Sequence, residues 1–116
     1  MPLALDRAYA SIAEWLEHER PSAFVALRLQ GLDTVSHYFL RHALPRAFGD
    51  VSEAERRQYG QVLEQYYRYV DGEIGRVIDQ MRPSDLLLVV APFGMQPLSP
   101  AKRLLEHSLG NASLSG

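Results

Sequence analysis

The sequence predicts an α/β fold, a three-layer arrangement in which helices pack on a sheet with two principal parallel strands. Two short and almost continuously apolar runs, residues 23–29 and 85–91, are typical of strands that are covered on both faces. A long segment of helical periodicity, residues 53–81, separates them. A helix between two strands favours parallel pairing with a right-handed crossover, which brings the carboxyl ends of both strands to one edge of the sheet.

Length and composition fit a single domain, or a fragment of a larger catalytic domain, over residues 1–116. The chain is 47% hydrophobic and 22% charged, which is ordinary for a globular protein. A net charge of −2 with scattered Lys and Arg argues against a nucleic-acid partner. The absence of Cys excludes disulfides and thiolate metal sites, and leaves the compartment unknown. Neither a signal peptide nor a membrane-spanning run is present, so we expect a soluble chain without a membrane partner.

The first element is a helix that Asp6 can cap and that Pro21 stops. Its apolar face recurs at three- and four-residue spacing and consists of Tyr9, Ile12, Ala13 and Leu16. Trp15 lies at the edge of that face, where we expect it to pack in the core. The strand of residues 23–29 follows and is expected to lie inside the sheet.

Two further helices lie between the predicted strands. Residues 35–44 form a short helix that Pro45 ends. Ser52 and Glu55 form a capping box that starts the longest helix, residues 53–81. Its apolar stripe consists of Tyr59, Leu63, Tyr66, Val70, Ile74, Val77 and Met81. After the second strand, Ser99 and Pro100 indicate the start of a helix over residues 101–107.

Asp33 and His37 are the candidate metal ligands of the sequence. They follow the carboxyl end of the first strand, where open α/β sheets keep their chemistry. A carboxylate oxygen and an imidazole nitrogen four residues apart can be presented together by one short turn. No catalytic residue is identified, because no serine or cysteine stands at a recognisable spacing from a histidine. The remaining histidines, which are predicted to be solvated on helix surfaces, are His18, His42 and His107.

Three segments, GLDTVSHYF, EQYYRYVDGEIGRVIDQM and DLLLVVAPFGM, resemble the middle of the type I phosphodiesterase and nucleotide pyrophosphatase family, in the alkaline phosphatase superfamily. The resemblance extends from about residue 6 to residue 116. It implies an alkaline-phosphatase-like fold and a site for two zinc-like metals. In the family a D-x-x-x-H motif binds one metal, and the matching residues are Asp33 and His37. A phosphoester would be the substrate of a complete parent protein.

The second half of the family's metal site is degenerate in this chain. The family usually has Ser-Asp-His-Gly after the later strand, and its Asp and His are ligands. This chain has Ala91-Pro92-Phe93-Gly94, and neither proline nor phenylalanine can ligate a metal. The family's nucleophile lies upstream of the region that matches, and a further ligand histidine lies downstream. We therefore expect an internal fragment that binds no metal stably and is inactive alone.

Three hypotheses for function remain open on the sequence. The first is a piece of a metal-dependent phosphodiesterase or nucleotide pyrophosphatase. The second is a family member without catalysis, retained for binding or scaffolding. The third is a small α/β module that self-associates through the long helix. A two-stranded sheet has exposed edges and a small core, so we expect a homo-oligomer.

Overall fold

Five helices make up the regular structure of the part of the chain that the structure describes. The computed structural model describes residues 2–92 and 94–98. In chain order the helices are α1 (Pro2–Glu19), α2 (Gly31–Ala43), α3 (Pro45–Phe48), α4 (Glu53–Tyr59) and α5 (Val62–Gln80). None of the helices in this part of the chain is long and apolar enough to cross a membrane. The predicted helix over residues 101–107 lies outside the described residues.

The prediction of an α/β fold with two parallel strands is wrong for the part of the chain that the structure describes. Residues 23–29 and 85–91 have no regular secondary structure, and no described residue is paired in a β-strand. A strand exists only where a neighbouring strand receives its backbone hydrogen bonds, and an apolar run does not supply that neighbour. The large side chains of these two segments are instead exposed to solvent: Phe24, Val25, Leu27, Leu86, Leu88, Val89 and Val90.

The core lies between α2 and α5 and contains no sheet. Val35 of α2 and Leu63 and Tyr66 of α5 form the buried centre. The half-buried residues around it are Leu3, Leu32, Phe39, Leu40, Ala43, Val62, Tyr69 and Val70. Residues 23–29 and 85–91 lie outside this core. The radius of gyration is accordingly 19.1 Å, whereas a compact domain of this size has a radius of about 13 Å.

The predicted long helix is divided into two at Gly60 and Gln61. The capping box at its start is confirmed: the Glu55 backbone N–H donates to Ser52 Oγ at 3.2 Å, and the Ser52 N–H donates to Glu55 Oε2 at 2.9 Å. A Cβ built on Gly60 would approach the Arg56 carbonyl oxygen to 2.5 Å. The division therefore falls at the residue that has no side chain to clash with the preceding turn.

The first helix is present, but its predicted orientation is wrong. Asp6 lies inside α1 and does not cap it, because the helix already begins at Pro2. Tyr9, Ile12 and Leu16 are exposed, and so is Trp15, which we expected in the core. The face that α1 turns inward carries Leu3 and the buried carboxylate of Asp6 instead. The helical period was therefore right, whereas the side of the helix that faces the core was not.

Candidate functional site

Asp33 and His37 lie on one face of α2, near the start of the helix. The helix begins at Gly31, so Asp33 is in its first turn and His37 is one turn further on. His37 Nε2 is 3.7 Å from Asp33 Oδ1. Their side chains are 66% and 44% exposed, respectively, so both can reach a solute. The structure thus brings the two predicted ligands together on a helix, as residues four apart require.

The spacing of these two atoms suits a shared divalent metal. A tetrahedral zinc ion with bonds of about 2.0–2.2 Å holds an oxygen and a nitrogen ligand about 3.4 Å apart. The observed 3.7 Å is close enough for small side-chain rotations to reach that geometry. Within residues 2–92 and 94–98, however, no group of three or more His, Cys, Asp or Glu side chains can hold a metal. The pair therefore fits as two ligands of a set whose other members the described residues do not provide.

The predicted degenerate positions are not brought to this pair by a sheet. Pro92 is exposed in a segment without regular secondary structure, and Phe93 lies outside the described residues. The expectation that both lie near Asp33 depended on parallel pairing of residues 23–29 with residues 85–91. Because those segments do not pair, that argument for their position fails.

A buried carboxylate from α1 holds the start of α2. Asp6, which is 2% exposed, accepts hydrogen bonds from the backbone N–H of Gly31 at 2.9 Å and from that of Gln30 at 3.2 Å. It also accepts one from the Tyr66 hydroxyl of α5 at 2.7 Å. A negative charge at a helix N-terminus interacts favourably with the free N–H groups and the helix dipole. Asp6 therefore joins three helices at the end of α2 that carries Asp33.

Gly31 is required at this junction because of the close approach of its neighbours. A side-chain Cβ at position 31 would overlap the Tyr66 hydroxyl and lie 2.7 Å from Asp6 Oδ2. Sequence reasoning missed this cluster, since the hydrogen bonds that Asp6 accepts from Gly31 and Tyr66 span 25 and 60 residues. The only local signal was an acidic residue in an otherwise apolar helical segment.

Two tyrosines of α5 have altered acidity in this cluster. Burial, supported by the hydrogen bond to Asp6, raises the pKa of Tyr66 well above the ordinary tyrosine value. Burial and the negative charge of Glu73 raise the pKa of Tyr69 to about 12. The Arg7 guanidinium lies 5.7 Å from the centre of the Tyr69 ring. The Tyr66 hydroxyl therefore remains a hydrogen-bond donor to Asp6 above the pH at which an ordinary tyrosine ionises.

The other histidines do not extend the candidate metal site. His18 is exposed, with Nδ1 3.5 Å from Glu19 Oε1, as expected for a solvated residue. His42 was also expected on the surface, but it is buried with its ring against Phe39 and Tyr59, at centroid distances of 6.0 and 5.2 Å. This prediction was wrong because the short α4 folds back over the end of α2. His107 lies outside the described residues.

The family of the chain follows from comparison with known families. The family model described as Type I phosphodiesterase / nucleotide pyrophosphatase matches residues 3–111. The match covers nearly the whole chain, so the chain belongs to this family of phosphoric ester hydrolases. Searches of curated proteins and of solved structures found no match to the chain. The resemblance noted on the segments around Asp33 and His37 is thereby confirmed at the level of the family.

Proposed function

We propose that this chain provides part of the metal site of a phosphodiesterase or nucleotide pyrophosphatase, with Asp33 and His37 as its ligands. The observation that carries the proposal is their pairing on α2, 3.7 Å apart and open to solvent, in a chain of this family. The substrate class is a phosphoester. We further propose that the chain alone is inactive and holds no tightly bound metal.

Each of the two residues has a distinct task in the proposed site. The Asp33 carboxylate offers an anionic oxygen, and His37 offers its Nε2 as a neutral nitrogen ligand. A divalent ion bound there would neutralise charge on the phosphoryl group and activate the attacking oxygen. Asp6 fixes the first turn of α2 through the Gly31 N–H, and thereby orients the ligand pair. Since α2 is a regular helix, the pair is held at constant spacing.

Inactivity is proposed because the site is incomplete. Two-metal phosphoryl transfer needs a ligand set for each ion and a positioned nucleophile. Asp33 and His37 amount to about half of one such set. Loss of the nucleophile alone costs orders of magnitude in rate in enzymes whose catalytic residues act as a unit. We therefore propose that the described part of the chain does not supply what would turn metal binding into catalysis.

A hydrolysis assay tests this proposal. The purified chain is incubated with a chromogenic phosphodiester and added zinc or manganese, beside Asp33→Ala and the control Asp71→Ala. Asp71 is an exposed aspartate on α5, so its loss changes net charge without touching the pair. We expect all three proteins to show only the background rate. Turnover that survives purification, is retained by Asp71→Ala and is lost in Asp33→Ala would show that the chain is an active hydrolase.

A second candidate is a member of the family that binds or scaffolds without catalysis. This candidate is favoured by Pro92, which stands at a position where the family usually has a metal ligand. The two candidates predict different properties for the longest natural polypeptide that contains this sequence. Metal-dependent hydrolysis by that polypeptide, abolished by Asp33→Ala, would support the first candidate. A stable and inactive polypeptide whose ligand binding is unchanged by Asp33→Ala would support the second.

A further inference from the structure

An apolar stripe runs along the outer face of α1. We define the α1 stripe as Leu5, Tyr9, Ile12 and Leu16, which succeed one another at intervals of four, three and four residues. All four are between 46% and 56% exposed. Trp15, which is 61% exposed, lies beside them. Isolated exposed apolar residues are normal on a protein surface, but a continuous helical stripe of them marks a surface that is covered in use.

Within residues 2–92 and 94–98, the fold leaves the α1 stripe exposed. The helix contacts α5 through its other, more polar side. On that side Asp6 binds the Tyr66 hydroxyl, Arg7 lies over the Tyr69 ring, and Glu14 accepts a hydrogen bond from the Gln80 amide at 3.5 Å. These contacts fix α1 along the length of α5 with its apolar side turned away. The stripe is therefore presented on a helix that is already held in place.

We propose that the α1 stripe docks against the α1 stripe of a second copy of this chain, with the two helices antiparallel. The spacing of four, three and four residues is that of a coiled-coil seam, in which each apolar side chain fits between those of the facing helix. In the antiparallel register, Leu5 lies opposite Leu16 of the second copy, and Tyr9 lies opposite its Ile12. The antiparallel pair is therefore two-fold symmetric, and the same residues of both copies form the interface.

The charge distribution of α1 favours the antiparallel arrangement. Its first turn has no acidic residue, whereas its last turn contains Glu17 and Glu19. Acidic residues at a helix C-terminus oppose the dipole of their own helix. In an antiparallel pair they lie near the N-terminus of the second helix, where negative charge is favourable. A parallel pair would instead bring the four glutamates of the two copies together.

The area of the surface suits a weak dimer. If a fully exposed large side chain presents about 200 Å², the α1 stripe and Trp15 expose roughly 500 Å² in each chain. Two copies would then bury about 1,000 Å², which is at the lower end of specific interfaces. We therefore expect association at micromolar concentrations and above. This inference does not depend on the proposed function, because none of the stripe residues belongs to the Asp33–His37 pair.

Sedimentation velocity over a wide concentration range tests the proposal with a matched pair of variants. Ile12 and Ile78 are 52% and 54% exposed, and they lie on α1 and α5. We expect Ile12→Glu to raise the dimer dissociation constant at least about tenfold. We expect Ile78→Glu to leave it unchanged. Helical circular dichroism checks that each variant is folded, and Leu16→Lys replaces Ile12→Glu if that variant unfolds.

Each other result of this experiment overturns the proposal. A wild-type chain that stays monomeric throughout would show that no second copy covers the stripe. Association that persists in Ile12→Glu would place the contact elsewhere, for example in the exposed apolar segments 23–29 and 85–91. Loss of association in Ile78→Glu alone would place it on α5. Trp15 gives an independent readout as the one tryptophan of the chain, and its emission should shift to shorter wavelength as the dimer forms.

Engineered cysteines test the orientation of the helices, since the natural chain has none. Leu5→Cys and Leu16→Cys are prepared separately and treated with a short thiol crosslinker, alone and as a mixture. The antiparallel seam predicts a crosslinked dimer chiefly in the mixture. Efficient crosslinking within each separate variant would show a parallel pair and refute the proposed arrangement.

Discussion

Replacing Asp6 should destabilise the chain more than any surface substitution. Asp6→Ala leaves the Gly31 N–H and the Tyr66 hydroxyl without an acceptor, and both residues are buried. Each unsatisfied buried donor costs about 1–3 kcal/mol. Loss of the negative charge at the start of α2 adds roughly 0.3–1 kcal/mol. We therefore expect the free energy of unfolding to fall by about 3–5 kcal/mol.

Asp6→Asn separates the loss of charge from the loss of the acceptor. The two buried donors share Oδ2, so one amide oxygen can still accept from both. The amide nitrogen would then face the N–H of the exposed Gln30, which can turn to water. We expect Asp6→Asn to cost only about 1–2 kcal/mol, the difference between a charged and a neutral acceptor.

Urea denaturation of both variants, combined with Tyr66→Phe in a double-mutant cycle, measures these terms. Removal of the Tyr66 hydroxyl should cost about 1–2 kcal/mol in the wild type and much less when Asp6 is already alanine. A loss below about 1 kcal/mol for Asp6→Ala would refute the account of this junction. Equal effects of Tyr66→Phe in the two backgrounds would do the same, because the residues would not be coupled.

Three further predictions concern other positions. In thermal unfolding, Gly31→Ala should destabilise the chain by about 3 kcal/mol, because the added Cβ overpacks the junction. Gly72→Ala adds a Cβ in open space on α5 and should stabilise the chain by up to about 1 kcal/mol. Ser52→Ala should shift the pKa of Glu55, now lowered by its hydrogen bonds to Ser52, back toward its ordinary range in an NMR titration. The pKa of Tyr69 is raised in the folded chain. The contribution of Tyr69 to the free energy of unfolding should therefore be fully present below about pH 10 and be lost as the pH rises toward 12. That decline should be shallower in Tyr69→Phe.

Local features of the fold could be predicted from the sequence because their causes are local. The capping box joins Ser52 and Glu55 across three residues, and both hydrogen bonds are present. Gly49 ends α3 with a positive φ of 76°, a conformation that glycine adopts without strain. Asp33 and His37 were predicted to be presented together by one short turn; they lie together, but on α2, which begins at Gly31 and not at residue 35 as predicted. These features need no knowledge of the rest of the chain.

Features that depend on distant residues could not be predicted from the sequence. The apolar runs at residues 23–29 and 85–91 indicated strands, but a strand also needs a partner, which no local pattern provides. The period of α1 was clear, yet the side that faces the core is set by the contacts of Asp6 with Gly31 and Tyr66. In each case a contact between distant parts of the chain decided between local alternatives.

The resemblance to a family, and not geometry alone, identifies Asp33 and His37 as candidate ligands. A carboxylate and an imidazole 3.7 Å apart also occur by chance at the surface of helices, as the similar pair His18 and Glu19 at 3.5 Å shows. Asp33 and His37 differ from that pair because they resemble the D-x-x-x-H motif of the family, and the proposal that they are ligands rests on that resemblance. The remaining ligands cannot be read from the described residues, because no third candidate side chain lies beside the two.

Calorimetric titration with zinc tests most directly the proposal that Asp33 and His37 are ligands of an incomplete metal site. The wild type, His37→Ala and the control His18→Ala are compared, since His18 forms the matching exposed pair on α1. We expect weak zinc binding that is lost in His37→Ala and retained in His18→Ala. We also expect that a chelator does not change the melting temperature of the chain. Tight stoichiometric binding would show that the ligand set is complete, and binding unaffected by His37→Ala would show that these residues are not ligands.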